Sequence, residues 1–217
     1  MLQPATIKFL KDLKKNNNKA WFEAHRPDYE KARASFENLV DDLIDARRTA
    51  DDLKGLRAKD CLMRINRDIR FSKDKSPYKT NFGASIAPGG RHTEKQGYHI
   101  SIGPNGNSIV AGGLYMPEPA QLAAFRRAID EDAGAFKKLT SAKAFVKYFG
   151  KVEGEKVATA PQSYSRTHPE IELLKLKQVV VVHHYSDKEV AAPGFTAEVL
   201  AACQAMRPFL NYLDQLA

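Results

Sequence analysis

Between Arg64 and Lys79 the chain reads Arg64-Ile65-Asn66-Arg67-Asp68-Ile69-Arg70-Phe71-Ser72-Lys73-Asp74-Lys75-Ser76-Pro77-Tyr78-Lys79, with six cations against two carboxylates. The chain as a whole carries 34 Lys and Arg against 26 Asp and Glu, a net charge of +8, so half of its excess sits in this segment. These residue types suit oxyanion recognition. Guanidinium forks take phosphate or carboxylate in two-point geometry, ammonium groups add mobile charge, and the N–H groups of a tight turn complete a nest. Arg64, Arg67, Arg70, Lys73, Lys75 and Lys79 are the candidate anion ligands, and Tyr78 offers a hydroxyl contact. Asp68 and Ser72 are supporting candidates, Asp68 by orienting Arg67 or Arg70. The competing reading is a solvated edge on which Asp68 and Asp74 neutralise their neighbours.

Other residues carry weaker signals. Gly112-Gly113-Leu114-Tyr115 follows a predicted strand, and paired glycines there permit either close ligand approach or plain strand geometry. No Gly-Lys-Ser/Thr follows them, so this is not a phosphate-binding P-loop, and no Gly-x-Gly-x-x-Gly or Gly-x-Ser-x-Gly occurs elsewhere. His168, before Pro169, is the best lone candidate for acid–base work; its plainer role is to hold the loop ahead of the next helix. Gly112, Gly113, Tyr115 and His168 therefore join the supporting candidates. The six histidines and the two cysteines, Cys61 and Cys203, lack metal-ligand spacing, and His183 and His184 point to opposite faces of a predicted strand. No metal is expected, and neither a cofactor nor a catalytic residue is assigned.

The positioning elements read as α+β. A chain of 217 residues, 43% hydrophobic and 28% charged, suits one globular domain over residues 1–217. It has no apolar run of membrane-spanning length, and Met1-Leu2-Gln3-Pro4 does not open a secretory signal, so a cytoplasmic protein with no membrane partner is expected. In that setting the two cysteines are expected to be reduced, buried thiols. Apolar residues at helical spacing predict N-terminal helices to about Ala50, with Asn16-Asn17-Asn18 as a break and Pro27 opening the longest. Trp21, Phe22 and Tyr29 read as core between them, with Phe9, Leu10 and Phe36.

A central antiparallel sheet is predicted across residues 61–115. Cys61–Asn66, Phe82–Ile86, Tyr98–Ile102 and Ser108–Ala111 are its strands, the last two flanking an Asn105-Gly106 hairpin turn. The start of the basic segment would continue as a strand, with Ile65, Ile69 and Phe71 inward and Arg64 about 20 Å from Arg70. C-terminal helices follow from Pro117, with a short one over Ile171–Leu176, a buried strand at Val179–Tyr185 and a last helix carrying Val199 to Leu213.

The text of several segments resembles the family filed as "domain of unknown function 2461". Asn16-Asn17 with Trp21-Phe22, the long basic motif, Gly112-Gly113-Leu114-Tyr115-Met116-Pro117, and His168-Pro169 with Leu173-Leu174-Lys175-Leu176-Lys177 carry the likeness. The start lacks the Phe-x-Gly-Phe opening of many members, and Thr167 stands where an Asp before His-Pro is common. The resemblance implies one compact domain with the basic motif as its signature and names no reaction.

The functional expectation is therefore an anion-binding protein whose basic segment takes a phosphate-bearing or other anionic small ligand. A nucleic-acid-binding module using the same patch is the second reading, and a module that meets an acidic protein the third. Composition gives no oligomeric state.

Overall fold

The computed structural model describes residues 2–216. Packing divides the chain into two units, one running to Val110 and adding His184–Ala201, the other comprising Ala111–His183 and continuing from Ala202. The breaks fall inside two strands and the last helix.

In the first unit, helix α1 (Pro4–Lys15) buries Ile7, Phe9, Leu10 and Leu13 on one stripe. The asparagine break ends it, and the Asn18 side chain accepts from the Trp21 N–H at 2.9 Å to cap α2 (Lys19–Ala24). Helix α3 (Arg26–Arg47) has Pro27 in its first turn, where a missing N–H costs nothing, and buries Phe36, Leu39, Val40, Leu43 and Ile44. Phe9 meets Trp21, Phe22, Tyr29 and Phe82 at centroid distances of 6.0 to 6.4 Å; Phe22 is buried as expected, whereas Trp21 and Tyr29 are half-buried at the edge of the core. Beyond α3, the Asp51 carboxylate is buried, held by Arg47 in two bonds of 2.8 Å and by the Tyr98 hydroxyl at 2.7 Å.

The strands β1 (Phe82–Ile86), β2 (Tyr98–Ile102), β3 (Ser108–Leu114) and β4 (Val179–Tyr185) form a four-stranded antiparallel sheet in that order. Phe82 opposes Ile102 and Ile86 opposes Tyr98 in the β1–β2 register. Between β2 and β3, Asn105 (φ 63°) and Gly106 (φ 73°) both take left-handed backbone. Their N–H groups donate at 3.1 and 2.9 Å to Asp187, at the start of α9 (Asp187–Val190), and Lys11 pairs with the same carboxylate at 2.7 Å.

Two sequence expectations are corrected. Cys61–Asn66 is not a strand: Cys61 ends the one-turn helix α4 (Ala58–Cys61), and only isolated bridges, Leu62 with Ala84 and Asn66 with Tyr78, follow. Gly112 and Gly113 lie inside β3, which runs on to Leu114.

The second unit contains α5 (Pro119–Asp132), α6 (Gly134–Thr140), α7 (Lys143–Phe149), α8 (Ile171–Leu174), most of β4 and the later part of α10 (Phe195–Asp214). Phe125, Phe136, Phe145, Phe149 and Phe209 make its aromatic core. Bridges of Glu153 with Val180 and Lys156 with Leu176 lay the segment after α7 against the chain entering β4. Cys61 and Cys203 are both buried, and burial pushes the Cys61 thiol up to about 12. No helix among the described residues is long and apolar enough to cross a membrane.

Candidate anion-binding site

The basic segment is a loop closed on itself. Arg67 N–H donates to the Pro77 carbonyl at 2.9 Å and Lys79 N–H to the Ile65 carbonyl at 2.7 Å, laying residues 65–67 against 77–79. Residues 68–76 turn between them, and both of their carboxylates are engaged from within. Asp74 accepts from the Ser76 N–H at 2.9 Å and the Ser76 hydroxyl at 2.6 Å, and it also pairs with the Arg67 guanidinium. These three donors hold its carboxyl down at about 2, the Ser76 hydroxyl contributing most. Arg67 also donates to the Ser76 carbonyl at 3.1 Å and to the Ser72 hydroxyl at 3.3 Å, so this cation and Ser72 build the loop's frame.

Arg70 faces outward. Its guanidinium grips Asp68 in two bonds of 3.0 and 2.7 Å, and the Asp68 carboxyl is held below its ordinary value chiefly by that grip. The orienting role expected of Asp68 therefore falls on Arg70. With 77% of the Arg70 side chain exposed, the pair is a surface one that an incoming oxyanion can compete for.

Tyr78 anchors the loop to the helices. It is buried, and its ring stacks on Phe22 at 4.0 Å and 16°. Asn17 holds its main chain from both sides: the Asn17 Nδ2 donates to the Tyr78 carbonyl at 2.9 Å, and the Tyr78 N–H donates to Asn17 Oδ1 at 3.1 Å. In the sequence Asn17 reads only as part of a helix break, marked by its place beside two other asparagines.

What remains outside the frame is charge and one ring. Arg64, Lys73 and Lys75 are exposed and Lys79 half-buried, and among the described residues no carboxylate forms a salt bridge with any of the four. Lys75 donates to the Ile69 carbonyl at 3.0 Å. Of the three apolar side chains expected to point inward, only Ile65 is buried; Ile69 is half-buried, and Phe71 is 95% exposed. The Arg70 guanidinium lies 5.8 Å from the Phe71 ring centroid.

One residue the sequence did not single out borders the loop's end. His99, on β2, is held below its ordinary pKa by burial first and by Lys79 second, so it stays neutral beside that lysine. A Cβ on Gly83 would stand 3.2 Å from Met63 Sδ and 3.7 Å from His99 Cε1, so these side chains close over a strand position that has none. The strand alternation was the available signal: with Tyr98 buried, His99 must take the opposite face.

Gly112, Gly113, Tyr115 and His168 belong to the second unit. Gly113 has φ 113°, and a Cβ there would run into the Val179 carbonyl oxygen and reach 3.0 Å from the Phe209 ring, so close strand packing requires this glycine. Tyr115 is 68% exposed. His168 Nδ1 accepts from the Glu170 N–H at 3.0 Å, which places its proton on Nε2, 3.2 Å from Asp130. That arrangement holds the loop before α8, and it supplies from α5 the carboxylate that Thr167 does not. Among the described residues no group of three or more His, Cys, Asp or Glu is placed to hold a metal ion.

No curated protein and no solved structure matches the chain. A family model described as a conserved hypothetical protein (DUF2461) matches residues 5–212, nearly the whole sequence and all of the loop, and the chain belongs to that family.

Proposed function

We propose that the loop of residues 64–79 is a surface site for phosphate-bearing anions, with Arg64, Arg70, Lys73, Lys75 and Lys79 as the recognising groups and Arg67, Ser72, Asp74 and Tyr78 as the frame that presents them. One observation carries this reading: once the loop's two carboxylates are engaged by Arg67 and Arg70, four cations remain with no salt bridge to a carboxylate among the described residues. Holding like charges together on one loop is costly in isolation, and an oxyanion relieves that cost.

The exposure of Phe71 beside Arg70 favours single-stranded nucleic acid as the occupant over a small anion, because every base offers a face for stacking. Fluorescence anisotropy with a labelled single-stranded oligonucleotide, at low and moderate salt, tests the site. Replacing Arg64 and Lys73 together by Ala should weaken binding and lower the log–log salt slope by about 1.4, two phosphate contacts at about 0.7 each. Phe71→Ala should cost about 5- to 150-fold in oligonucleotide affinity, the equivalent of one stacked base, and leave inorganic polyphosphate binding unchanged. Polyphosphate binding without oligonucleotide binding would favour the small-anion reading. Binding of neither at low salt would overturn the site.

A further inference from the structure

A concavity lies wholly within the second unit. It has a volume of about 240 Å³ and is lined by Ala158, Thr159, Ala160, Arg166, Ile171 and Lys175. At about 30 Å³ per water it holds roughly eight waters, room for a small organic molecule. One wall is apolar, from Ile171 and the two alanines, and two cations line the same space.

The charge there is only partly countered. Arg166 forms no salt bridge among the described residues, and Lys175 reaches Glu172 only at 3.4 Å, while Lys156 holds that carboxylate at 2.7 Å. Three other carboxylates of this unit are engaged elsewhere: Glu170 by Lys137 at 2.7 Å, Glu155 by Lys177 at 3.3 Å and Asp130 by His168 at 3.2 Å. A third cation adds to the field. Arg126 is anchored on the carbonyls of Leu174 and Leu176, on either side of Lys175, at 2.8 and 3.1 Å, and it too forms no salt bridge among the described residues.

The backbone around the cavity is fixed. Val157 N–H donates to the Lys175 carbonyl at 2.9 Å, which sets residues 158–160 beside Lys175, and the short helix α8 carries Ile171 and runs straight into Lys175. Cations facing a concavity with low-dielectric walls focus positive potential into it. We propose that this cavity is a separate anion site that takes a small molecule bearing a phosphate group, with Arg166 and Lys175 holding the phosphate and Ile171, Ala158 and Ala160 packing its apolar part. A dianion suits two full charges better than a monocarboxylate does.

Titration of the full chain with inorganic phosphate, followed by amide NMR, tests this. Saturable shifts at Ala158 to Ala160 and Arg166 are expected, with acetate at least tenfold weaker. Arg166→Gln and Lys175→Met should each weaken phosphate about tenfold or more, the equivalent of one charge-assisted hydrogen bond. The Arg64→Ala/Lys73→Ala variant of the basic loop should leave these shifts unchanged, which separates this site from the one proposed above. Arg166 is exposed, so its replacement leaves the packing intact even if the Lys175 variant unfolds. Absence of saturable shifts at these amides, equal acetate affinity, or full phosphate affinity in Arg166→Gln would each overturn the assignment.

Discussion

Replacing Asn17 by Ala should release the basic loop from the helices. The two bonds between Asn17 and the Tyr78 main chain join positions 61 residues apart, and both are partly buried. A net contribution of about 1 kcal/mol per bond gives a loss of about 2 kcal/mol, rising towards about 4 kcal/mol if the Tyr78 N–H and carbonyl stay dry and unpaired. Asn17→Asp sharpens the test. It keeps an acceptor for the Tyr78 N–H but sets a carboxylate oxygen against the Tyr78 carbonyl, so it should lose at least as much. Urea unfolding followed by circular dichroism reads the stability. Hydrogen exchange of the Arg67 and Lys79 amides, which donate across the loop's closure, reads the local opening. If Asn17→Ala costs under about 0.5 kcal/mol and both amides keep their protection, the clamp does not hold the loop and the frame described above is wrong.

The neutral His99 makes stability depend on pH. Its pKa in the folded chain is lowered, so the unfolded chain binds the proton first: the stability it contributes is complete above the ordinary histidine value of 6.5 and is lost as pH falls below it. Urea midpoints at pH 7.5 and 5.0 should therefore lie closer together in His99→Gln than in the parent chain, and an equal difference would refute the assignment. Gly113→Ala should destabilise by about 2 to 5 kcal/mol, from left-handed strain plus overpacking against Val179 and Phe209, as read from the urea midpoint; a loss below about 1 kcal/mol would show that the strand pair relaxes freely.

The regular elements were legible because their signals are local and periodic. Phe82–Ile86, Tyr98–Ile102 and Val179–Tyr185 are strands at the bounds expected of them, and the stripe from Tyr29 to Ile44 is a helix with Pro27 in its first turn. Elements set by distant partners were not. The length of β3 depends on its neighbours in the sheet, and the one-turn α4 takes support from α3, through the bond from the Ala58 N–H to Asp41 at 2.8 Å.

The basic segment misled for a physical reason that also bears on its use. Alternation of Ile65, Ile69 and Phe71 with charged residues mimics a half-buried strand, but a strand needs a neighbour for its N–H groups. Here the side chains reach those groups first: Asp68 takes the Arg70 N–H at 3.2 Å, Asp74 takes that of Ser76, and Pro77 has none to give. Short polar side chains that satisfy the backbone locally compete with the ladder, and with Pro77 they close the segment into a loop. The same bonds use up both carboxylates. A strand would have set Arg64 and Arg70 at opposite ends of a polar face; the loop instead keeps Arg67 and Asp74 as the pair that shapes it and leaves Phe71 exposed. The carboxylates that made neutralisation the competing reading of this segment thus serve to build the loop, and each of them takes up one of its six cations.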